Sequence, residues 1–129
     1  MKLSDKEIEV MSKKGHKDRY VYFIKRVVDN EAAWILDDEG FALTSDDIGN
    51  DILPLWPARE YAEACANGDW DGYNPKKIDL EYILDELLPD LSKDQIKLGI
   101  FMVPSITDTP IIAADSLLVD LQNECEKYN

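Results

Sequence analysis

The sequence predicts an α+β fold: a small, mostly antiparallel sheet of about four to five strands with helices packed on it, preceded by two N-terminal helices. Three observations predict it. Apolar residues spaced three and four apart mark helices near both ends of the chain and again over 80–88. Between them lie short apolar runs bounded by Gly, Pro, Asn and Asp, the pattern of strands. Strands and helices do not alternate in the β-α order of a parallel sheet, and no repeat, low-complexity tract or linker intervenes. The 129 residues fit a single domain, 1–129, with 1–30 as a helical segment and 31–129 as an α+β body. A chain of this length buries about two-thirds of its unfolded surface, so folding requires no metal or disulfide staple.

The elements read as follows. Ser4 and Glu7 have capping-box spacing and open a helix that runs to Lys14, ended by Gly15. A second helix covers Lys17 to Asp29, with Tyr20, Phe23, Ile24, Val27 and Val28 on one face and Lys25 and Arg26 toward solvent. Ala33–Leu36 and Phe41–Thr44 flank an acidic turn closed by Gly40, which reads as a β-hairpin. Ile52–Trp56 is a strand that Pro54 places at a sheet edge or strand end. Pro57 suits a first helical turn, and a helix follows over Ala58–Ala66. Asp69–Pro75 is a turn-rich loop, and 76–78 forms a short strand. Asp79 caps a helix over Leu80–Leu88 that Pro89 stops. Ile96–Val103 is a strand, 104–110 a loop, and 111–113 a last strand. A final helix runs from Ser116 to Lys127, with Leu117, Leu121, Cys125 and Tyr128 at helical spacing.

Charge narrows the function classes. The chain holds 14 Lys/Arg against 27 Asp/Glu, a net charge of −13 with a pI near 4.3. Nucleic acid is polyanionic and is excluded as a generic partner. A mean hydropathy of −0.34 and the absence of an apolar run near 20 residues exclude a membrane span. Residues 1–28 carry eight Lys/Arg and four Asp/Glu, net +4, whereas residues 29–129 carry six and 23, net −17. A basic segment lying against an acidic body explains this, as does an acidic face that steers a cationic partner. The N-terminus lacks a signal-peptide core, and Cys65 and Cys125 have no CxxC context. Both cysteines read as small hydrophobes, and a reducing cytoplasm is the expected setting.

No catalytic constellation stands out. His16 is the only histidine and lies in a charged junction, a poor context for a general base. Three His and Cys residues scattered over the chain do not make a zinc site. Phosphate-binding glycine motifs are missing. The run from Asp37 fails as a calcium loop because position twelve is Ile48, leaving Asp37, Glu39, Asp46 and Asp47 as a weak divalent candidate against a solvated acidic turn. Carboxylate pairs such as Glu60/Glu63 and Asp85/Glu86 are expected by chance among 27 acids. The aromatics are more informative: Trp34, Trp56, Tyr61, Trp70 and Tyr73 cluster in mid-chain. They form either a core or a partly exposed groove, and Trp56, Tyr61, Trp70 and Tyr73 are the candidates for contact with a ligand or partner. Trp70 and Tyr73, in a loop between acids, are the better candidates for exposure.

Several segments taken together resemble a known family. Arg19-Tyr-Val-Tyr-Phe-Ile-Lys25, Trp34-Ile-Leu36 with Gly40, and Leu53-Pro-Leu-Trp-Pro57 followed by Tyr61-Ala62 carry the likeness. Ile78-Asp-Leu80 leading a helix and Phe101-Met-Val-Pro104 closing a strand extend it. The chain from Arg19 to the final helix is similar to the bacterial family called domain of unknown function 2750. Phe41 departs from it, standing where many members carry Trp. The resemblance implies a small bacterial cytoplasmic domain and brings no activity, substrate or catalytic residue. The expectation is a non-catalytic binding or regulatory module without a cofactor. An immunity-type protein that neutralises a basic toxin is the first alternative, and a carboxylate- or metal-dependent enzyme the second. A basic protein, a small ligand and a second copy of the chain are the open partners.

Overall fold

The computed structural model describes residues 5–46, 48–103 and 109–127. The Ser4 cap, Asp47, Pro104 and Tyr128, all used in the sequence reading, lie outside the described residues. The architecture is α+β, with helices packed on two short sheets.

The N-terminus forms α1 (Asp5–Ser12) and α2 (His16–Asn30). Gly15 does not end α1; it occupies the cap position that starts α2. The apolar face expected of α2 is present: Phe23, Ile24, Val27 and Val28 are buried in the main core. That core also includes Leu36, Leu53, Trp56, Leu98 and Leu117 from the body. A helix with this apolar stripe must bury it, so α2 is a core element. One turn earlier the same face buries Arg19, which is 1% exposed. Its Nε donates to the Phe101 carbonyl at 3.2 Å and its Nη1 to the Lys14 carbonyl at 2.9 Å. At Glu31 the backbone turns left-handed, with φ of 56°, and the chain enters the sheet.

β1 (Ala32–Asp37) pairs antiparallel with β4 (Asn74–Asp79) over six residues, from Ala32 opposite Asp79 to Asp37 opposite Asn74. The expected hairpin is therefore corrected. The acidic turn folds back only as far as a bridge from Asp37 to Phe41 and a bond from the Ala42 amide to the Leu36 carbonyl. Ala32, Ala33, Ile35 and Leu36 are buried, so both faces of β1 are covered, and β4 matches its whole length. The other sheet has the order β2 (Thr44–Ser45), β3 (Asp51–Leu55), β5 (Lys97–Ile100), β6 (Ile111–Ile112). β3 and β5 run parallel; the other pairings are antiparallel.

β3 is interior, which corrects the edge alternative inferred from Pro54, while the strand-end alternative holds, since Pro54 is the next-to-last residue of β3. Peptide groups alternate sides along a strand. The Leu55 carbonyl accepts from Phe101 on the β5 side, whereas Trp56 bonds Trp34 on the other side. Pro54 shares the second orientation, and β2 reaches only Asp51 and Ile52. The proline thus falls in the gap where β3 passes from β2 to β1, where no amide is required.

α3 (Arg59–Ala64) starts after Ala58, so Pro57 precedes the cap rather than entering the first turn. A 3-10 turn (Gly68–Trp70) leads to β4. Pro89 does not stop the next helix. α4 (Leu80–Tyr82) runs into a π turn (Ile83–Leu87) and continues as α5 (Leu88–Lys93). The ring of Pro89 would meet the carbonyl four residues back, at Asp85, and the wider π turn spans that carbonyl. Asp79 holds the cap position without a side-chain capping bond. α6 (Ala114–Glu126) closes the chain against α2 and α5.

Replacing Arg19 by Met leaves the Phe101 and Lys14 carbonyls without their buried donor. Chemical denaturation is expected to show a loss of about 3 kcal/mol at unchanged m-value. A loss below about 1 kcal/mol would show that Arg19 is an ordinary helix residue.

Candidate functional site

A cleft of about 590 Å³ opens where the C-terminal half of α2, the outer part of β1 and the start of α3 meet. Arg26 and Asn30 come from α2, one turn apart. Trp34 is half-buried on β1, and Lys77 stands directly opposite it on β4. Such cross-strand partners hold their Cβ atoms roughly 4.5–5.5 Å apart on one face of the sheet. Pro57, Ala58, Arg59, Glu60 and Glu63 supply the third wall.

The charges of this cleft differ in how they are engaged. Arg59 pairs with Glu63 at 2.6 Å on the α3 surface. Glu60 also has a partner of its own. Arg26, expected in solvent, retains only 23% of its side-chain exposure. Its Nη1 reaches Glu7 of α1 at 3.4 Å, and its guanidinium lies 5.9 Å from the Tyr22 ring centre. Its Nε is shielded from water without a hydrogen-bond partner among the described residues. An unmet buried donor costs about 1–3 kcal/mol. Lys77 is exposed, and its ammonium has no partner among the described residues.

The four aromatics named from sequence divide in two. Trp56 and Tyr61 are buried, at 0% and 2% exposure. Trp70 and Tyr73 are half-buried against the core. Trp56 donates its indole N–H to the Met102 carbonyl at 2.9 Å and meets Trp70 edge to face. Tyr61 packs on Phe101 with ring centres 4.5 Å apart and sits with its hydroxyl 3.2 Å from that of Tyr22. Tyr22 donates in turn to Glu7 at 2.6 Å. Burial raises both phenols above their usual range, and for Tyr22 the bond to Glu7 adds to it. Trp56 and Tyr61 back the α3 wall, while Arg59, Glu60 and Glu63 from the same stretch face the cleft.

Of the weak divalent candidates, Asp46 spends both carboxylate oxygens on its own loop. Oδ1 accepts from the Ile48 and Asn50 amides and Oδ2 from the Asn50 side chain. The Asn50 bonds hold its carboxyl below the usual range. Among the described residues, no three His, Cys, Asp or Glu side chains gather as a metal-holding group. His16 is exposed. Arg26, Asn30, Arg59 and Lys77 escaped sequence reasoning because they come from separate segments. A signal existed in the cross-strand neighbours of Trp34, but β4 had to be recognised as its partner first.

Cys65 and Cys125 are both free thiols. Cys65 donates to the Met102 carbonyl at 3.3 Å, and burial pushes its thiol up to about 11, with the Trp56 indole working against the rise. The folded thiol holds its proton more tightly than the unfolded one. Its stabilisation is therefore full below about pH 9 and is lost as pH climbs toward 11. The raised phenols add losses above pH 10. Between pH 9 and 10 the wild type should lose about 1 kcal/mol more than a Cys65→Ser variant, read by urea denaturation at each pH. Parallel curves would show that Cys65 ionises equally in both states.

A search of curated proteins finds no match to this chain. A family model does match, and its span, residues 20–121, takes in α2 from Tyr20, all six strands and most of α6. The matched region contains the Trp34–Trp56 junction and the residues that line the cleft. The chain belongs to the DUF2750 family of proteins of unknown function.

Proposed function

We propose that this protein is a binding module whose ligand seat is the cleft around Trp34. The observation that carries the reading is the cleft itself: about 590 Å³, with a half-buried indole and polar groups from three separate elements. That volume lies within the range of roughly 300–1,000 Å³ of small-molecule sites, which combine apolar lining with a few polar groups. Trp56 and Tyr61 serve this reading as buried props of the wall. Trp70 and Tyr73 do not line the cleft, and the reading gives them no contact. Two free thiols suit a reducing cytoplasm. No helix among the described residues is long and apolar enough to cross a membrane.

The −17 charge of residues 29–129 supports a second reading, capture of a basic protein, with neutralisation of a basic toxin as its sharpest form. Such capture depends on long-range attraction and weakens steeply with salt.

Ligand-observed NMR with pools of small metabolites separates the two readings. The first expects a pool that binds the wild type and binds Trp34→Ala at least about tenfold more weakly, with the variant's circular dichroism unchanged. No Trp34-dependent binder, together with a basic protein retained at low salt and lost at about 0.5 M salt, would replace the first reading by the second.

A further inference from the structure

We propose that the cleft selects a small molecule that joins a flat unsaturated ring to an anionic group, a carboxylate or a phosphate. This rests on the reading of the cleft as a ligand seat. Glu63 is paired with Arg59, and Glu60 has a partner of its own. Two lining cations have charge left to offer: Lys77, whose ammonium is unpartnered among the described residues, and Arg26, whose ion pair to Glu7 is long at 3.4 Å. Residues 29–129 hold six Lys/Arg against 23 Asp/Glu, and two of those six, Arg59 and Lys77, line this cleft with Arg26. Chance placement on so acidic a body would favour carboxylates there instead.

Trp34 sets the other half of the ligand. Its indole is half-buried and shares a face with Lys77, so a ring resting on the indole brings a substituent within reach of the ammonium. Arg26 approaches from α2 and offers a planar fork suited to a carboxylate or phosphate. A second groove shares Asn30 and Lys77 and is lined by Glu31, Asp79, Glu81 and Asp85. These carboxylates repel an anion from that side of Lys77, so the anionic group seats between Lys77 and Arg26. The overall charge of −13 repels extended polyanions at long range. A compact ligand with one or two negative charges, placed at close range to the cations, is what remains.

The test uses matched probes that differ in charge: adenosine 5′-monophosphate against adenosine, and 1-naphthylacetate against 1-naphthylacetamide. Binding is followed on the Trp34 indole N–H signal in ¹H–¹⁵N spectra of the intact chain, identified by its loss in Trp34→Phe. In at least one pair the charged member should bind about tenfold more tightly than its neutral partner, and the pair that responds distinguishes phosphate from carboxylate. Lys77→Gln, an exposed position that leaves the fold intact, should shrink that preference at least about threefold. Equal affinity of charged and neutral members would overturn the selection of an anion and leave the cleft as a ligand seat. A preference untouched by Lys77→Gln would also overturn it. If no probe moves the Trp34 signal the proposal fails, while the ligand seat itself stands or falls by the metabolite pools.

Discussion

Two reciprocal backbone hydrogen bonds, each 2.9 Å, join Trp34 to Trp56, and the rest of the fold depends on them. The β1–β4 ladder alone is a two-stranded ribbon, which is marginal in water. The bonds attach it to β3 and so to the four-stranded sheet. Leu55, just before the junction, accepts from the Phe101 amide, and the Trp56 indole donates to the Met102 carbonyl. One dipeptide thus fixes β1 on one side and the end of β5 on the other. α3 begins three residues later, so its direction is set by the same anchor. The floor and one wall of the cleft inherit their positions from this point.

The N-terminal helices are bound to this frame by polar links that their apolar face does not explain. Arg19 reaches across to the Phe101 carbonyl, where the backbone is left-handed with φ of 55°. Tyr20 donates to Asp120 of α6, and Tyr22 connects Glu7 of α1 to Tyr61 of α3. Apolar packing is tolerant of small rotations, whereas these bonds specify one. The rotation decides that Arg26 and Asn30 of α2 line the cleft.

The periodic elements were legible in the sequence and the pairings were not. The α2 stripe, the strand in 96–103 and the final helix follow from spacing alone, because one buried face suffices to define each. The partner of β1 is not a local property. A hairpin with Phe41–Thr44 and a ladder with β4 both start from the same apolar run in β1, and the choice is made by the length matched and the faces covered. Proline misled twice for a related reason. Pro54 and Pro89 each forbid one backbone bond, but the sequence does not show that the neighbouring structure has a gap or a π turn at that bond. Trp56 and Tyr61 were legible as special, yet their role is burial, and the polar residues beside them line the surface.

Arg26 is where local rules and the fold disagree most sharply. Its place in α2 beside Lys25 reads as solvent-facing, and the fold draws it inward, leaving its Nε shielded and unmet. Folds usually remove such a defect, since Lys or Gln at this position would avoid a cost of about 1–3 kcal/mol. Real proteins break one or two such rules at functional or strained sites. Arg26 also stands at the wall of a cleft that holds the Lys77 ammonium, which has no partner among the described residues. An anionic ligand seated in the cleft would meet the Arg26 guanidinium and the Lys77 ammonium together.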